Sequence, residues 1–550
     1  MRNLIKPFLA IGLALMATST FAQNSKPKLI VGIMVDQMRY DYLERFRYNY
    51  GDGGFKELTD NGFVCRNGHY DYAATATGPG HISVYSGTYP AHHGIVGNSF
   101  FDRSQDHTVY CVSDDNYNTV GADSKGGKMS PHRVQVSTLT DEIKLASNMR
   151  SKVISISLKD RSSVLPAGHI ADGAFWLDDA TGNWISSTFY MDKLPEWVEK
   201  ANKERKVDEY MKSVWEPALP LEKYEASLKD NNPYEGKFKG EEAPVFPHDL
   251  DKIDKSNRVA KSVGKRYSMI KSTPFGNTMV KDMAKKAIEA EGLGKDDITD
   301  LLAISFSSTD YVGHQYGPTA IETEDTYIKL DRDLADLISY LDKEVGEGNY
   351  LIFLSADHAG ANVPAYMESL KVPAGYFDSK AVTERLDQYL DQEYGEADWI
   401  KSHHSAKVYL NREAIKEKKI DLAEIQEKVA DKLVEEPEIK DALTGKQLEK
   451  YDYSRDYKML IQNAYNRQNS PDVYGILHSN YMDYSRTGTS HGTPYAYDTH
   501  VPILFYGWRV KAGETVKRQT ITEIAPTVSA FLHINMPSGC YSNPIEVPLK

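Results

Sequence analysis

Cysteine is scarce: Cys65, Cys111 and Cys540 are the only three in a chain of 550 residues. That scarcity excludes a disulfide-stapled fold and a zinc site built on thiolates. One disulfide can form with one thiol left over, and spacing does not say which pair it would be. Long apolar runs are also missing, so no segment reads as a bilayer-spanning helix. Basic charge is in deficit, with 65 Lys and Arg against 78 Asp and Glu. Wrapping nucleic acid needs the opposite balance. An acidic surface also repels phosphorylated ligands at long range, so their attraction must be local, from metal ions and a few cations. No internal repeat or low-complexity tract occurs. The glycine-rich GADSKGGKM around residue 121 lacks Lys directly after the required Gly and is not a phosphate loop.

What is present begins with a secretory signal over residues 1–22. Arg2 and Lys6 supply its positive start, Phe8–Met16 its apolar middle, and Thr20-Phe21-Ala22 a small-residue cleavage site before Gln23. No Cys follows the cut, so neither a lipid anchor nor a membrane anchor is expected. The product is expected to be periplasmic or secreted. Hydrophobic residues at 41% and aromatics at 11% can build a sizeable core.

Alternation of strand and helix signals continues through most of the remainder. Lys28–Val35 reads as a strand, Tyr40–Asn61 as a helix, Gly80–Ser86 as a second helix and Lys152–Leu158 as a strand. Asn277–Glu291 is an amphipathic helix, and Leu301–Phe306, Tyr350–Leu354 and Val501–Tyr506 are buried strands. Two stretches break the pattern. Residues 175–273 are rich in Trp, Tyr, Pro and charge, and 364–480 hold a strand-like Ala406–Leu410 and a charged helix at Leu422–Leu433. The expected fold class is α/β: a mainly parallel sheet sandwiched by helices, one catalytic domain over 23–550 with insertions at about 175–273 and 364–480.

The chemistry-bearing residues fall at the ends of the apolar runs. Asp36 follows LIVGIMV, Asp310 and His314 follow LLAISFSS, Asp357 and His358 follow YLIFLSA, and His491 lies ahead of HVPILFYGW. In an open α/β sheet the ligand crevice lies beyond the carboxyl ends of the strands, so these clusters can converge. Asp36 alone would pass for a helix N-cap. Asp310 and His314, four apart, share one face of a helical turn. Asp357 and His358 can serve one metal only where their strand ends in a loop. Thr77 opens a Gly-rich turn, Gly78-Pro79-Gly80, that can deliver a helix N-terminus to an anion. Its hydroxyl needs a metal to become a nucleophile, and Thr75 is the competing hydroxyl. Asn98 offers an amide donor, and Lys159 and Arg161 project to one side if strand geometry persists beyond Leu158. His92-His93 and His403-His404 have no carboxylate nearby in sequence and are set aside as ligands.

Six motifs together resemble the alkaline phosphatase superfamily, and most of all the bacterial phosphate-irrepressible type with a threonine nucleophile. They are VGIMVDQMRYDYL, TATGPGHISVYSGTYPAHHGIVGN, SLKDR, STDYVGH, SADHAG and SHGTP. The resemblance implies two zinc ions, one held by Asp310, His314 and His491, the other by Asp36, Asp357 and His358 with Thr77 bound to it. It implies that Asn98, Lys159 and Arg161 hold phosphoryl oxygens, and that small phosphate monoesters are the substrates. The alternative within the superfamily is a nucleotide phosphodiesterase or pyrophosphatase; a binding protein with a dead site is the non-enzymatic reading, opposed by an intact ligand set. No Cys or Ser stands in a C/S-x-P-x-R context to become formylglycine, which argues against an arylsulfatase. No obligate protein partner is implied.

Overall fold

A computed structural model describes residues 26–550; the signal expected over 1–22 lies outside the described residues. Among the described residues ten strands form the main sheet. In chain order they are β1 Leu29–Val35, β2 Phe63–Cys65, β3 Thr119–Val120, β4 Val153–Ser157, β5 Gly173–Leu177, β6 Trp184–Ser187, β7 Asp300–Phe306, β8 Tyr350–Ser355, β9 Ile503–Gly507 and β10 Gly513–Thr515. Their order across the sheet is β10-β2-β9-β8-β1-β7-β4-β5-β6-β3. The central five, β8 to β5, run parallel, and antiparallel neighbours extend them at both sides. The sheet is therefore mixed, with the expected parallel part at its middle.

The apolar composition of the central strands follows from their place. β1, β7 and β8 are buried along their whole length, as strands covered on both faces must be. Val35 pairs with Phe306 and Met34 with Ser355, so three strand ends come level. The covering helices include α1 Thr77–Ser86, α2 Asp160–Ala167, α3 Pro274–Glu291, α4 Ser308–Tyr316 and α5 Ile321–Leu341. Every residue of α1 is buried, which suits a helix without a polar face. Among the described residues no helix is long and apolar enough to cross a membrane.

Several sequence expectations are corrected. The helix expected at Tyr40–Asn61 is broken into Tyr42–Arg45, a 3-10 turn at Arg47–Asn49 and Phe55–Asn61. Gly51, Gly53 and Gly54 interrupt it, and Asp331 accepts hydrogen bonds from the N–H groups of Gly51 and Phe55, both at 2.7 Å. The helix expected from Gly80 starts at Thr77 itself. Phe175 does not leave the sheet: β5 and β6 belong to it, and only their shortness hid them among the polar residues that follow. Trp215, Phe238 and Ile253 further on pack into the main core and not into one of their own. All three cysteines are free.

The stretch beyond Pro364 does build a separate apolar cluster, with Val382, Leu386, Trp399, Ile425 and Val429 at its centre. Its antiparallel sheet runs Ile400–His404, Lys407–Leu410, Val473–Leu477, Ile439–Thr444. Asp472, fully buried, anchors this accessory sheet. It accepts from Arg412 (2.7 Å), Arg103 (3.0 Å), Gln426 (3.1 Å) and the N–H of Leu410 (2.9 Å). Arg103 lies in the turn of a hairpin, Ser99–Asp102 and His107–Tyr110, that starts just after Asn98. Asp472→Ala would leave two arginines facing a void where their counter-charge was. The expected cost is about 3–5 kcal/mol, read by denaturant unfolding; a loss below about 1 kcal/mol would show that the hub is not what joins the two sheets.

Candidate metal and phosphoryl-transfer site

Parallel strand ends bring the clusters together. Asp310, His314 and His491 form one group and Asp36, Asp357 and His358 another, with the ligand atoms of each group within 4.8 Å of one another. His314 Nε2 lies 3.2 Å and His491 Nε2 3.9 Å from Asp310 Oδ1. His358 Nε2 lies 3.6 Å from Asp36 Oδ1 and 3.7 Å from Asp357 Oδ2. The His358 and His491 rings stack 3.5 Å apart, so the groups abut.

The donor atoms are prepared for a cation. Asp36 Oδ1, Asp357 Oδ2 and His358 Nε2 are buried without a hydrogen-bond partner, a costly state unless an ion meets them. Each histidine spends its other nitrogen on a backbone carbonyl: His358 Nδ1 on Ala359 (2.9 Å), His314 Nδ1 on Thr489 (2.7 Å) and His491 Nδ1 on Thr75 (2.6 Å). A ring that donates through Nδ1 presents a lone pair at Nε2, the form a metal needs. An all N/O donor set of histidine and carboxylate suits zinc.

Electrostatics agree. Burial, then the neighbouring Asp310 and Asp357, pushes the Asp36 carboxyl well above its usual range. Burial likewise lifts Asp357 to about 6, and lowers the His358 imidazolium to about 4. Burial would also lift Asp310, but Lys159 and His314 outweigh it and hold the carboxyl well below normal. Lys159 Nζ lies between the groups, 2.7 Å from Asp36 Oδ2 and 2.6 Å from Asp310 Oδ2, with the Tyr311 ring 4.9 Å away.

Thr77, almost fully buried at the first turn of α1, faces this charge. Arg161 Nη2 lies 3.3 Å and Lys159 Nζ 3.5 Å from its Oγ1. Asn98 Oδ1 accepts from the N–H of Gly78 at 2.7 Å, which turns its NH₂ the other way. Thr75 is differently engaged: its hydroxyl donates to the Thr493 carbonyl at 3.3 Å. Lys159 and Arg161 do converge, though not along a continued strand. Lys159 is the N-cap of α2 and Arg161 is in its first turn.

Residues not singled out in the sequence hold the site in shape. Gln37 sits at φ 62 and is 5% exposed, a strained left-handed conformation for a side-chain-bearing residue. From there its Nε2 donates to Asp310 Oδ1 (3.0 Å) and its N–H to Asp357 Oδ1 (3.1 Å), so it ties the two groups together. A Cβ at Gly313 would collide with its amide, the one hint in the STDYVGH string. Tyr110 donates to Asp160 at 2.5 Å and accepts from Arg161 at 3.0 Å. His81 bridges the Thr77 carbonyl (2.9 Å) and Ser305 (2.8 Å). Gly488-Thr489-Ser490-His491-Gly492 is a G-x-S-x-G string, but it is loop, not a strand-to-helix elbow, and its contribution is His491. His403 and His404 stay out of both metal groups but line a cavity that reaches His314 and His491.

A family profile described as type I phosphodiesterase / nucleotide pyrophosphatase matches residues 30–500. A Synechococcus elongatus protein named alkaline phosphatase PhoV is 44% identical over 97% of this chain and 95% of its own. A Myroides odoratus protein named calcium-transporting ATPase is 43% identical over 96% of this chain and 95% of its own. The crystal structure of alkaline phosphatase PafA superposes with a TM-score of 0.91 at 41% identity, covering 96% of this chain and 99% of that one. The purified protein is expected to hold two divalent ions per chain, and His358→Ala about one, by elemental analysis. Full occupancy in His358→Ala, or one ion in the unaltered protein, contradicts the two-group arrangement.

Proposed function

The chain belongs to the type I phosphodiesterase / nucleotide pyrophosphatase family of the alkaline phosphatase superfamily, and we propose that it is an exported, zinc-dependent alkaline phosphatase that hydrolyses phosphate monoesters through a phosphothreonine at Thr77. It is a phosphoric monoester hydrolase by its relation to enzymes named alkaline phosphatase over nearly the full length of both chains. The observation that carries the finer reading is the convergence of Lys159 and Arg161 on the Thr77 hydroxyl, beside two three-residue metal groups.

Asp310, His314 and His491 would hold one zinc, and Asp36, Asp357 and His358 the other beside Thr77. When bound, the pair would supply Lewis acidity to the entering and leaving oxygens of an in-line displacement. The chain's own residues do the rest. Asn98, Lys159 and Arg161 bind the phosphoryl oxygens and fix phosphorus in front of Thr77 Oγ. The Thr77 hydroxyl gives its proton to solvent, a Thr77 Oγ–P bond forms as the ester P–O bond breaks, and the leaving alkoxide takes a proton from water. A water then attacks the same phosphorus, releasing inorganic phosphate and restoring the Thr77 hydroxyl. Gln37 and His81 keep the carboxylates and α1 in place throughout.

The second reading, a nucleotide phosphodiesterase or pyrophosphatase, has the family description in its favour. Lys159 and Arg161 discriminate, since a monoester dianion offers oxygens for both while a diester puts an organic group in part of that space. A PafA variant altered at a threonine, an asparagine, a lysine and an arginine has also been crystallised, and this chain has those four types at Thr77, Asn98, Lys159 and Arg161. Replacing Lys159 and Arg161 together by Ala should lower aryl monoester kcat/KM by about 10²–10⁴-fold, at ~1.5–3 kcal/mol for each charge-assisted contact. The loss on the matching diester should be far smaller. Equal losses on both esters would assign the two cations a structural role and favour the diesterase.

A further inference from the structure

A cavity of about 540 Å³ opens onto Asn98, His314 and His491, and the reaction just described uses only that side of it. Asn98 and Ala76 form its near side. Its far wall comes from the accessory sheet: His403, His404, Lys407, Tyr409 and Tyr474. Strand alternation puts Lys407, Tyr409 and the paired His404 on that side. Along Lys407–Leu410, Val408 and Leu410 enter the accessory core, which leaves Lys407 and Tyr409 on the opposite face. On the neighbouring strand Val473 joins the same core, and Tyr474, paired in register with Lys407, faces the cavity.

Lys407 is unlike the protein's other sheltered lysines. Lys144 is paired with Asp172, Lys271 with Asp179, Lys281 with Asp336, and Lys159 with Asp36 and Asp310. Among the described residues Lys407 has no carboxylate within ion-pair distance; its Nζ lies 5.7 Å from the centre of the Tyr474 ring, and Asp483 lines a neighbouring pocket with it without pairing. Burial, unopposed, pushes its ammonium down to about 8. In a chain of net charge −13, a cation left without a counter-ion beside a cavity is a local attraction of the kind an anionic ligand requires.

We propose that Lys407, with Tyr409, Tyr474 and the His403-His404 pair around it, is a subsite for an anionic group on the leaving-group portion of the ester, a carboxylate or a second phosphate. The proposal rests on the monoesterase reading, in which His314 and His491 belong to the zinc group on the leaving-oxygen side. Lys159 and Arg161 then address the phosphoryl group that is transferred, and Lys407 the group that departs. A lysine that only lays its stem on Tyr474 would confer no such selectivity.

The test is a ratio of kcat/KM values on the holoenzyme: 3- and 4-carboxyphenyl phosphate, each against the matching carboxamide. The unaltered enzyme should favour the carboxylate by about tenfold or more at one of the two positions, the effect of a single partly solvated charge-assisted contact. Lys407→Met and Lys407→Gln should bring the ratio close to unity, and Lys407→Arg should keep most of it. Because each ratio is taken on one preparation, loss of folded protein cancels. A ratio at or below unity in the unaltered enzyme, or one unchanged in Lys407→Met, overturns the subsite. The underlying reading fails separately, if the unaltered enzyme turns over an aryl diester and not phenyl phosphate.

Discussion

Three carboxylates, Asp36, Asp310 and Asp357, are buried around one point, and the rest of the structure is arranged to make that tolerable. Uncompensated, such charges cost several kcal/mol each, so the chain must either neutralise them or supply cations. Lys159 alone cannot balance three, and the orphaned oxygens of Asp36 and Asp357 face away from it toward His358. Two divalent ions would balance them, and each histidine already spends its other nitrogen on a backbone carbonyl, which leaves Nε2 free for a metal. The level strand ends, the close approach of α1 and the strained Gln37 all serve to keep these groups at their separations. Strain of that kind is what preorganisation for metal and phosphoryl charge would require.

The same logic orders the periphery. With an acidic surface, selection of an anionic substrate depends on the few cations that the fold delivers to the cleft. Lys159 and Arg161 arrive on α2, from the parallel core. Lys407 arrives from the accessory sheet, which is pinned by Asp472 to Arg103 in the hairpin that follows Asn98. One frame thus carries Lys159 and Arg161, and a separately packed unit carries Lys407 and the far wall of the cavity.

How far the sequence could be read depended on where each signal resides. The candidate metal groups were legible because five of their six members closely follow apolar runs that read as buried strands, with His491 ahead of another, and α/β topology then aligns the strand ends. The accessory sheet showed in the recovery of strand and helix character within 364–480. β5 and β6 did not show, since strands of five and four residues beside Trp and polar residues have too little period to stand out. Lys159 and Arg161 were identified for a geometry that does not occur; a helix N-cap and first turn bring them together as effectively as a strand would. Gln37, Tyr110 and His81 left no local trace, because their roles lie in contacts across 273, 51 and 224 positions of chain. His403 and His404 lie outside the two candidate groups, and their place in a cavity wall depends on an insertion whose docking no local pattern encodes.

The most direct measurement is chemical trapping of the enzyme during turnover. With saturating aryl phosphate, rapid acid quench and peptide mass analysis, the account predicts phosphate on the single peptide that contains Thr77, localised to Thr77 and absent in Thr77→Ala. Phosphate on Thr75, or turnover with no phosphorylated residue in any quench, would contradict it.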